Sequence, residues 1–430
     1  MTIFRRIPSV LVLTLVSIGA TSLQSPADDP PVQPNIPKSK IPSDMNSTEG
    51  LVRGNTRFAL DLYRGLKGDD NLFFSPNGVS EALAICFEGA RGATATQMAD
   101  VLGFPEGGSW LGERFQRLRQ AGVNLNSDAV IFKSANSLWS QLPLNSGFES
   151  DVQGEYDAEV FEVDFQSSAS REEIRQWVRT QTDGAAELPA ESLSDPLLRL
   201  LVINTLLFKA SWAQQFNSEL TSDKPFELMD GTSRNVPTMW QKGRFRHGAW
   251  DDLEILEMPY AGGRASAFIL LPAKSDAESD DSTEPVSPLE HLESTLTAAE
   301  LDDRLNALSP KSLKVYLPRF SITSNLSLGG VLQGLGMSLP FQLDADFSGI
   351  TDADRLNIGK VLQDARIDFD EGGTEAAVVT VVTMLTRGIS QEPAPPSVLF
   401  KADRPFMFLV RENSTGSILF MGRVIDPVDD

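Results

Sequence analysis

Apolar positions first recur with a helical period near Leu51. Val52, Phe58, Ala59, Leu62 and Leu66 share one face, which predicts an amphipathic helix where ordered sequence begins. Asn71-Leu-Phe-Phe-Ser75-Pro76 reads as a short strand running into a helix start, with Ser75 as cap and Pro76 at the first helical position. Helical patterns dominate the first third of the chain. Strand patterns at 201–208, 266–271 and 315–320 dominate the rest. The run 201–208 is too apolar for a half-exposed strand, so it belongs at the centre of a covered sheet. Asn204, inside that run, must be hydrogen-bonded if buried. Helices and strands do not alternate and no internal repeat appears. The predicted class is α+β, with helices packed on mainly antiparallel sheets.

One segment breaks these simple patterns. From Glu371 the chain reads Glu-Gly-Gly-Thr-Glu-Ala-Ala-Val-Val-Thr, continues through a β-branched stretch, and ends on Arg387 and Gly388. Gly372 and Gly373 free the backbone, Ala376 and Ala377 fit against almost any neighbour, and the valines and threonines favour an extended strand. Arg387 is the only charge between Glu375 and Glu392, and prolines crowd the exit at 393–396. Read alone, the segment is either an ordinary buried strand leading to a turn, or a strand in one state and an exposed, cleavable loop in another.

Composition narrows the class of function. The 430 residues and 41% hydrophobic content suffice for one large core or several smaller ones. A formal charge of -22 argues against nucleic acid and anionic membranes as partners. Arg5 and Arg6 precede a short apolar run at 7–20, the pattern of a secretory signal peptide, with an uncleaved anchor as the rival reading. Residues 1–22 are assigned to the signal, 23–48 to a Pro- and Asp-rich disordered tether, and 49–430 to one domain. An acidic tract at 275–288 is a surface insertion within that domain. The product is expected outside the cytoplasm, extracellular or periplasmic, and monomeric. The lone Cys86, in an apolar setting, reads as a small buried hydrophobe. His247 and His291 have no metal-ligand or triad context, and no phosphate-binding or dinucleotide motif occurs. Enzyme chemistry, a metal and a cofactor are therefore not expected.

Read in order, the motifs resemble one family, the serpins. Asn71 to Pro76 is followed by Gly89-Ala90-Arg-Gly92, Asn136-Ser-Leu-Trp139 and Leu201-Val-Ile-Asn204-Thr-Leu-Leu-Phe208-Lys209-Ala-Ser-Trp212. Leu317-Pro-Arg-Phe320, Ala345-Asp-Phe347-Ser-Gly-Ile350, Phe400-Lys-Ala-Asp-Arg-Pro405-Phe406 and Leu419-Phe-Met-Gly-Arg-Val424 complete the series. The resemblance spans residues 51–427. It implies three mainly antiparallel sheets, an exposed reactive-centre loop at 371–397, and a sheet-opening cluster of Ser75, Asn204, Gln363 and Trp212. Gln363 stands where the family usually has His, and Gly78 where it usually has Ser.

The family's inhibitors are suicide substrates, and serpin loop insertion is itself a standard example of stored strain. A serine protease cuts the loop and forms an acyl-enzyme, and the cut loop enters the main sheet as an added strand, trapping the protease. Here the resemblance places the hinge on Gly373, Thr374, Glu375, Ala376, Ala377, Val378, Val379 and Thr380, with Val378 and Val379 departing from the usual Ala or Ser. Period-2 alternation would turn Thr374, Ala376, Val378, Thr380, Val382 and Met384 inward, a set without charge. The family's loop length puts the reactive bond at Arg387–Gly388. The implied targets are trypsin-like serine proteases, with Arg-preferring cysteine proteases as secondary partners. A non-inhibitory binding or carrier protein on the same fold is the alternative. The overall charge opposes a polyanion activator, and Arg114, Arg117 and Arg119 are the only compact basic group near the helix that would bind one.

Overall fold

The strand Leu200–Ser211 is apolar almost throughout and buried on both faces along most of its length. Such a strand needs a partner on each edge and a layer on each face. One edge pairs antiparallel with Val130–Ser140, from Val130↔Ala210 to Ser140↔Leu200. The other pairs in parallel with Lys360–Phe369. Glu159–Glu162 and Phe320–Ser327 extend the sheet outward, and Gly373–Thr374 completes its six strands. In this computed structural model residues 47–104, 110–184, 188–274, 287–374 and 397–428 are described. They all lie in one compact unit.

A second, nine-stranded sheet runs from Leu72–Phe74 through the C-terminal hairpin of Phe406–Glu412 and Ile418–Val424 to Val398–Lys401 at its far edge. The three sheets implied by the resemblance trace two hydrogen-bonded paths here. The 17-residue strand Ser233–Ala249 pairs with Ser222–Glu227 and Ser309–Pro318 along its length and with Leu253–Pro259 at its end, joining what would be two sheets. The class is α+β.

The expected local signals are present. The first helix is Thr48–Leu66, and the hydroxyl of Ser47 caps it by accepting from Gly50 N. It therefore begins inside the stretch 23–48 assigned to the tether, because a serine cap extends the helix one turn beyond its first apolar residue. Ser75 accepts from Gly78 N at 3.1 Å, and Pro76 opens the helix Pro76–Gly89. The strand Ala265–Pro272 is buried at every position. Most of the acidic insertion falls outside the described residues. At its end a reciprocal capping box between Ser287 and Glu290 starts the helix Pro288–Thr295, which takes Pro288 out of the insertion.

Cys86 is fully buried and unpaired, and burial pushes its thiol up to about 12, so it behaves as a small apolar side chain. Glu293, from the helix Pro288–Thr295, accepts from Tyr63 Oη at 2.6 Å, Lys67 Nζ at 2.9 Å and Arg423 Nη1 at 3.1 Å. This buried carboxylate ties the first helix to the last strand. Among the described residues no helix is long and apolar enough to cross a membrane.

Candidate functional site: a partly opened sheet and its hinge

The ladder between Leu200–Ser211 and Lys360–Phe369 runs from Lys360↔Leu201 to Asp364↔Thr205 and stops there. Beyond that row the two strands diverge, and at the far end Gly373–Thr374 lies between them. Thr374 sits opposite Ala210 on one side and Phe369 on the other. The sheet is closed at one end and wedged at the other.

Several contacts hold the wedge. Asp370 Oδ1 accepts from Gly372 N at 2.8 Å and from Gly373 N at 2.9 Å, forming a tight turn. Trp212 donates from its backbone N to Gly372 O at 2.8 Å and from Nε1 to Asp370 O at 2.9 Å. Its indole stacks on Tyr260 at 4.6 Å. The hydroxyls of Tyr260 and Thr374 share a 2.7 Å hydrogen bond, both residues are buried, and burial drives the Tyr260 phenol far above its ordinary range. At Gly373 a Cβ would stand 2.0 Å from Ala210 O and 2.7 Å from Ser211 Cα. Both are backbone atoms, so this close approach admits only glycine.

A second polar group lies at the closed end, on the inner face. Gln363, Asn204 and Asn136 occupy one row across three strands. Gln363 Oε1 accepts from Ser75 N at 2.8 Å, and its Nε2 donates to Ser75 O at 3.0 Å and, at 3.4 Å, to Asn204 Oδ1. Asn204 Nδ2 donates to Asn136 Oδ1 at 2.8 Å. All four residues are at most 2% exposed, so these amides satisfy one another in place of water. The two departures from the family pattern fit together here. A Cβ at Gly78 would meet Asn204 Oδ1 at 2.0 Å, so the missing side chain leaves room for the carboxamide that Gln363 contacts.

Ser75, Asn204 and Gln363 are in contact with one another. Trp212 belongs with the hinge at the other end of the strand. Gly373 and Thr374 lie between the strands Leu200–Ser211 and Lys360–Phe369. Glu375, Ala376, Ala377, Val378, Val379, Thr380, Arg387 and Gly388 lie outside the described residues, as do the signal peptide at 1–22 and the rest of the loop to 396. Asn136, Tyr260 and Asp370 were missed. Asn136 stands in a recognisable motif, but only the strand register reveals its partner.

The basic group on the helix Leu111–Val123 does not present a joint face. Arg119 donates to the buried Glu81 carboxylate at 2.5 Å and to the Glu155 carbonyl. Arg117 pairs with Glu113 at 2.7 Å, and Arg114 lies over the Trp110 ring at 5.7 Å. Among the described residues no group of three or more His, Cys, Asp or Glu is placed to hold a metal.

Comparison with known proteins agrees with this geometry. Residues 53–427 match the family described as Serpin (serine protease inhibitor). An uncharacterized serpin-like protein of Thermococcus kodakarensis is 36% identical, covering 99% of this chain and 100% of that protein. Human leukocyte elastase inhibitor is also 36% identical, over 88% of this chain and all of its own length. The structure of human thyroxine-binding globulin with its hormone superposes with a TM-score of 0.76 at 28% identity, covering 89% of this chain and 100% of that one. The chain belongs to the serpin family.

Proposed function

We propose that the protein is an exported suicide-substrate inhibitor of trypsin-like serine proteases. Cleavage falls at Arg387–Gly388, and the freed segment then enters the six-stranded sheet. The observation that carries this reading is the lodged hinge, with Gly373 and Thr374 already paired as the start of an added strand. Continuing that register sets Glu375 beside Lys209 and Asp368 on the outer face. Ala376 would fall between Phe208 and Ile367, Ala377 between Leu207 and Arg366, and Val378 between Leu206 and Ala365. Phe208, Ile367, Leu206 and Ala365 are buried, so the inner rows suit the uncharged side chains that would meet them.

Four residues in this register would span the diverged stretch. Further entry must part the five closed pairs from Asp364↔Thr205 to Lys360↔Leu201, with the Gln363–Asn204 row second in line. The added strand satisfies backbone groups and buries apolar side chains, which is the driving force for trapping. Cleavage leaves the protease joined through its serine ester to Arg387 Cα-carboxyl, so insertion carries it away from the loop's original position.

Arg387 gives the specificity. A guanidinium offers paired donors to a carboxylate at the base of a protease pocket, as found in trypsin-like enzymes, and cysteine proteases that prefer Arg are secondary targets. Gly388 adds no bulk after the cut. Export rests on the basic start and short apolar run at the N-terminus.

The test is to mix the protein with a trypsin-like protease. A covalent complex surviving SDS at the summed mass is expected. Clean cleavage without that complex would make the protein a substrate and favour the carrier reading, which the bulkier Val378 and Val379 in the hinge would then explain.

A further inference from the structure

On a chain of formal charge -22, one sheet face carries concentrated positive charge. It lies where Ser233–Ala249, Ser309–Pro318 and Val398–Lys401 run side by side. One row holds Lys242, Lys314 and Leu399, and the next holds Trp240, Tyr316 and Lys401. Arg244 follows on the same strand, opposite Ser312. Lys242, Arg244 and Lys314 are exposed, and Leu399 is 56% exposed. Among the described residues, no carboxylate forms an ion pair with any of these three cations, whereas Lys401 is spent on Asp403 at 3.0 Å.

Lys242 and Lys314 face each other directly across an antiparallel pair, where Cα atoms stand about 4.5–5.5 Å apart. Like charges in that position destabilise a sheet. Beside them Lys224 Nζ lies 5.8 Å from the centre of the Tyr316 ring, and the rings of Trp240 and Tyr316 are 6.4 Å apart. The result is a cationic face, unpaired with carboxylates among the described residues, with two amphipathic aromatics, a composition suited to a protein interface.

Its position identifies the partner. Val398–Lys401, the edge strand of this face, follows directly on the loop exit, and Ser397 Oγ lies 3.2 Å from Ser312 Oγ. Arg387 is ten residues upstream of Ser397, so the scissile bond stays within roughly 35 Å of this edge even with the chain fully extended. A protease seated on Arg387 is held close to the cations.

We propose that Lys242, Arg244 and Lys314, with Trp240 and Tyr316, form a docking surface for an acidic patch on the protease that attacks the reactive loop. This rests on the inhibitory reading and adds a preference among proteases of equal pocket specificity. Charge complementarity of this kind acts mainly on association, raising encounter rates by about 10- to 1000-fold at low salt.

The experiment compares an anionic and a cationic trypsin, which share pocket specificity and differ in surface charge. Against anionic trypsin, the combined Lys242→Glu, Arg244→Glu, Lys314→Glu variant should associate at least about tenfold more slowly than wild type at roughly 0.05 M salt. The difference should vanish near 1 M salt, where charges are screened within about 3 Å. The rate with cationic trypsin should not fall, and the SDS-stable yield should be unchanged. An unchanged thermal midpoint checks the fold, and the corresponding triple Gln variant should show a smaller loss of the same sign. Equal slowing with both trypsins, or none with the anionic enzyme, overturns the proposal. So does a sulfated polysaccharide that binds this face while anionic trypsin is unaffected. If wild type forms no SDS-stable complex, the inhibitory reading fails separately. Binding of anionic trypsin with its catalytic serine replaced by alanine then tests the surface alone, and binding indifferent to the Glu variant would refute it.

Discussion

Replacing Thr374 by Arg tests the lodged hinge directly. Thr374 is 1% exposed, its hydroxyl bonds to the buried Tyr260, and the rows around it are Ala210 and Phe369. None of these offers a counter-charge, so an arginine held there would bury an unpaired guanidinium, at an effective cost of several kcal/mol. Expelling the hinge instead gives up the Thr374 hydroxyl bond, about 1 kcal/mol. It also leaves the Tyr260 hydroxyl short of a partner, roughly 1–3 kcal/mol more. Expulsion is the cheaper outcome, and a loss of about 2–4 kcal/mol leaves a domain of ordinary stability folded. The variant should therefore unfold at a lower temperature and expose its loop. Once cut, it cannot place residue 374 in the first inserted row, so insertion stalls and the acyl-enzyme hydrolyses. Titration against trypsin should show full cleavage with little or no SDS-stable complex. Thr374→Ser, which keeps the hydroxyl, should retain most of the complex yield. If Thr374→Arg traps protease with wild-type stoichiometry, residue 374 does not enter the sheet and the hinge assignment is wrong.

Other outcomes follow from the same geometry. Arg387→Ala should abolish inhibition of trypsin-like proteases, and the fragment released from a wild-type complex should begin Gly-Ile-Ser-Gln at Gly388. A fragment starting at Leu385 or Thr386 would move the reactive bond. Cleavage near Arg387 should raise the thermal midpoint, whereas an equal midpoint before and after would mean that no strand is added. Asp364 closes the last paired row opposite Thr205, whose buried hydroxyl has no partner among the described residues, and burial raises the Asp364 carboxyl to about 6. A carboxyl raised on folding favours the native state below its unfolded value near 3.9, and that contribution is lost as pH rises through 6, a swing of roughly 3 kcal/mol. Asp364→Asn should therefore remove this contribution to the pH dependence of the thermal midpoint between about pH 3.5 and 7, and a profile parallel to wild type over that range would refute the assignment. Gly78→Ser should lower stability by roughly 1–3 kcal/mol by forcing the Asn204 carboxamide away from Gln363, measured by denaturant unfolding.

Features set by neighbours in sequence were legible before the structure. The Ser75 cap, Pro76 at the first turn and the buried strand around Asn204 each depend on local chemistry or on an unbroken pattern. The closed-to-open boundary of the sheet was not legible. It depends on the offset between Leu200–Ser211 and Lys360–Phe369, strands far apart in the chain, and no local signal encodes which residues share a row. The same register brings Asn136 beside Asn204 and turns Asp364 toward Thr205. Gln363 read as a departure whose consequence was open. Its meaning appears only with Gly78, because the space left by one residue is filled by the carboxamide that the other contacts.

Positive charge shows the same limit. In sequence, Arg114, Arg117 and Arg119 are neighbours and look like one patch. On the helix, three-to-four residue spacing and the flanking elements divide them, sending Arg119 inward to Glu81 and Arg117 to Glu113. Lys242 and Lys314 are separated by more than seventy residues and carry no local signature. Antiparallel pairing makes them direct neighbours. The cluster that looked basic is consumed by internal ion pairs, and the cations open to a partner meet only through sheet register, beside the exit of the reactive loop. Any electrostatic contribution to protease capture should therefore follow substitutions at Lys242, Arg244 and Lys314, while Arg119→Ala should chiefly lower stability by leaving the Glu81 carboxylate buried without its partner.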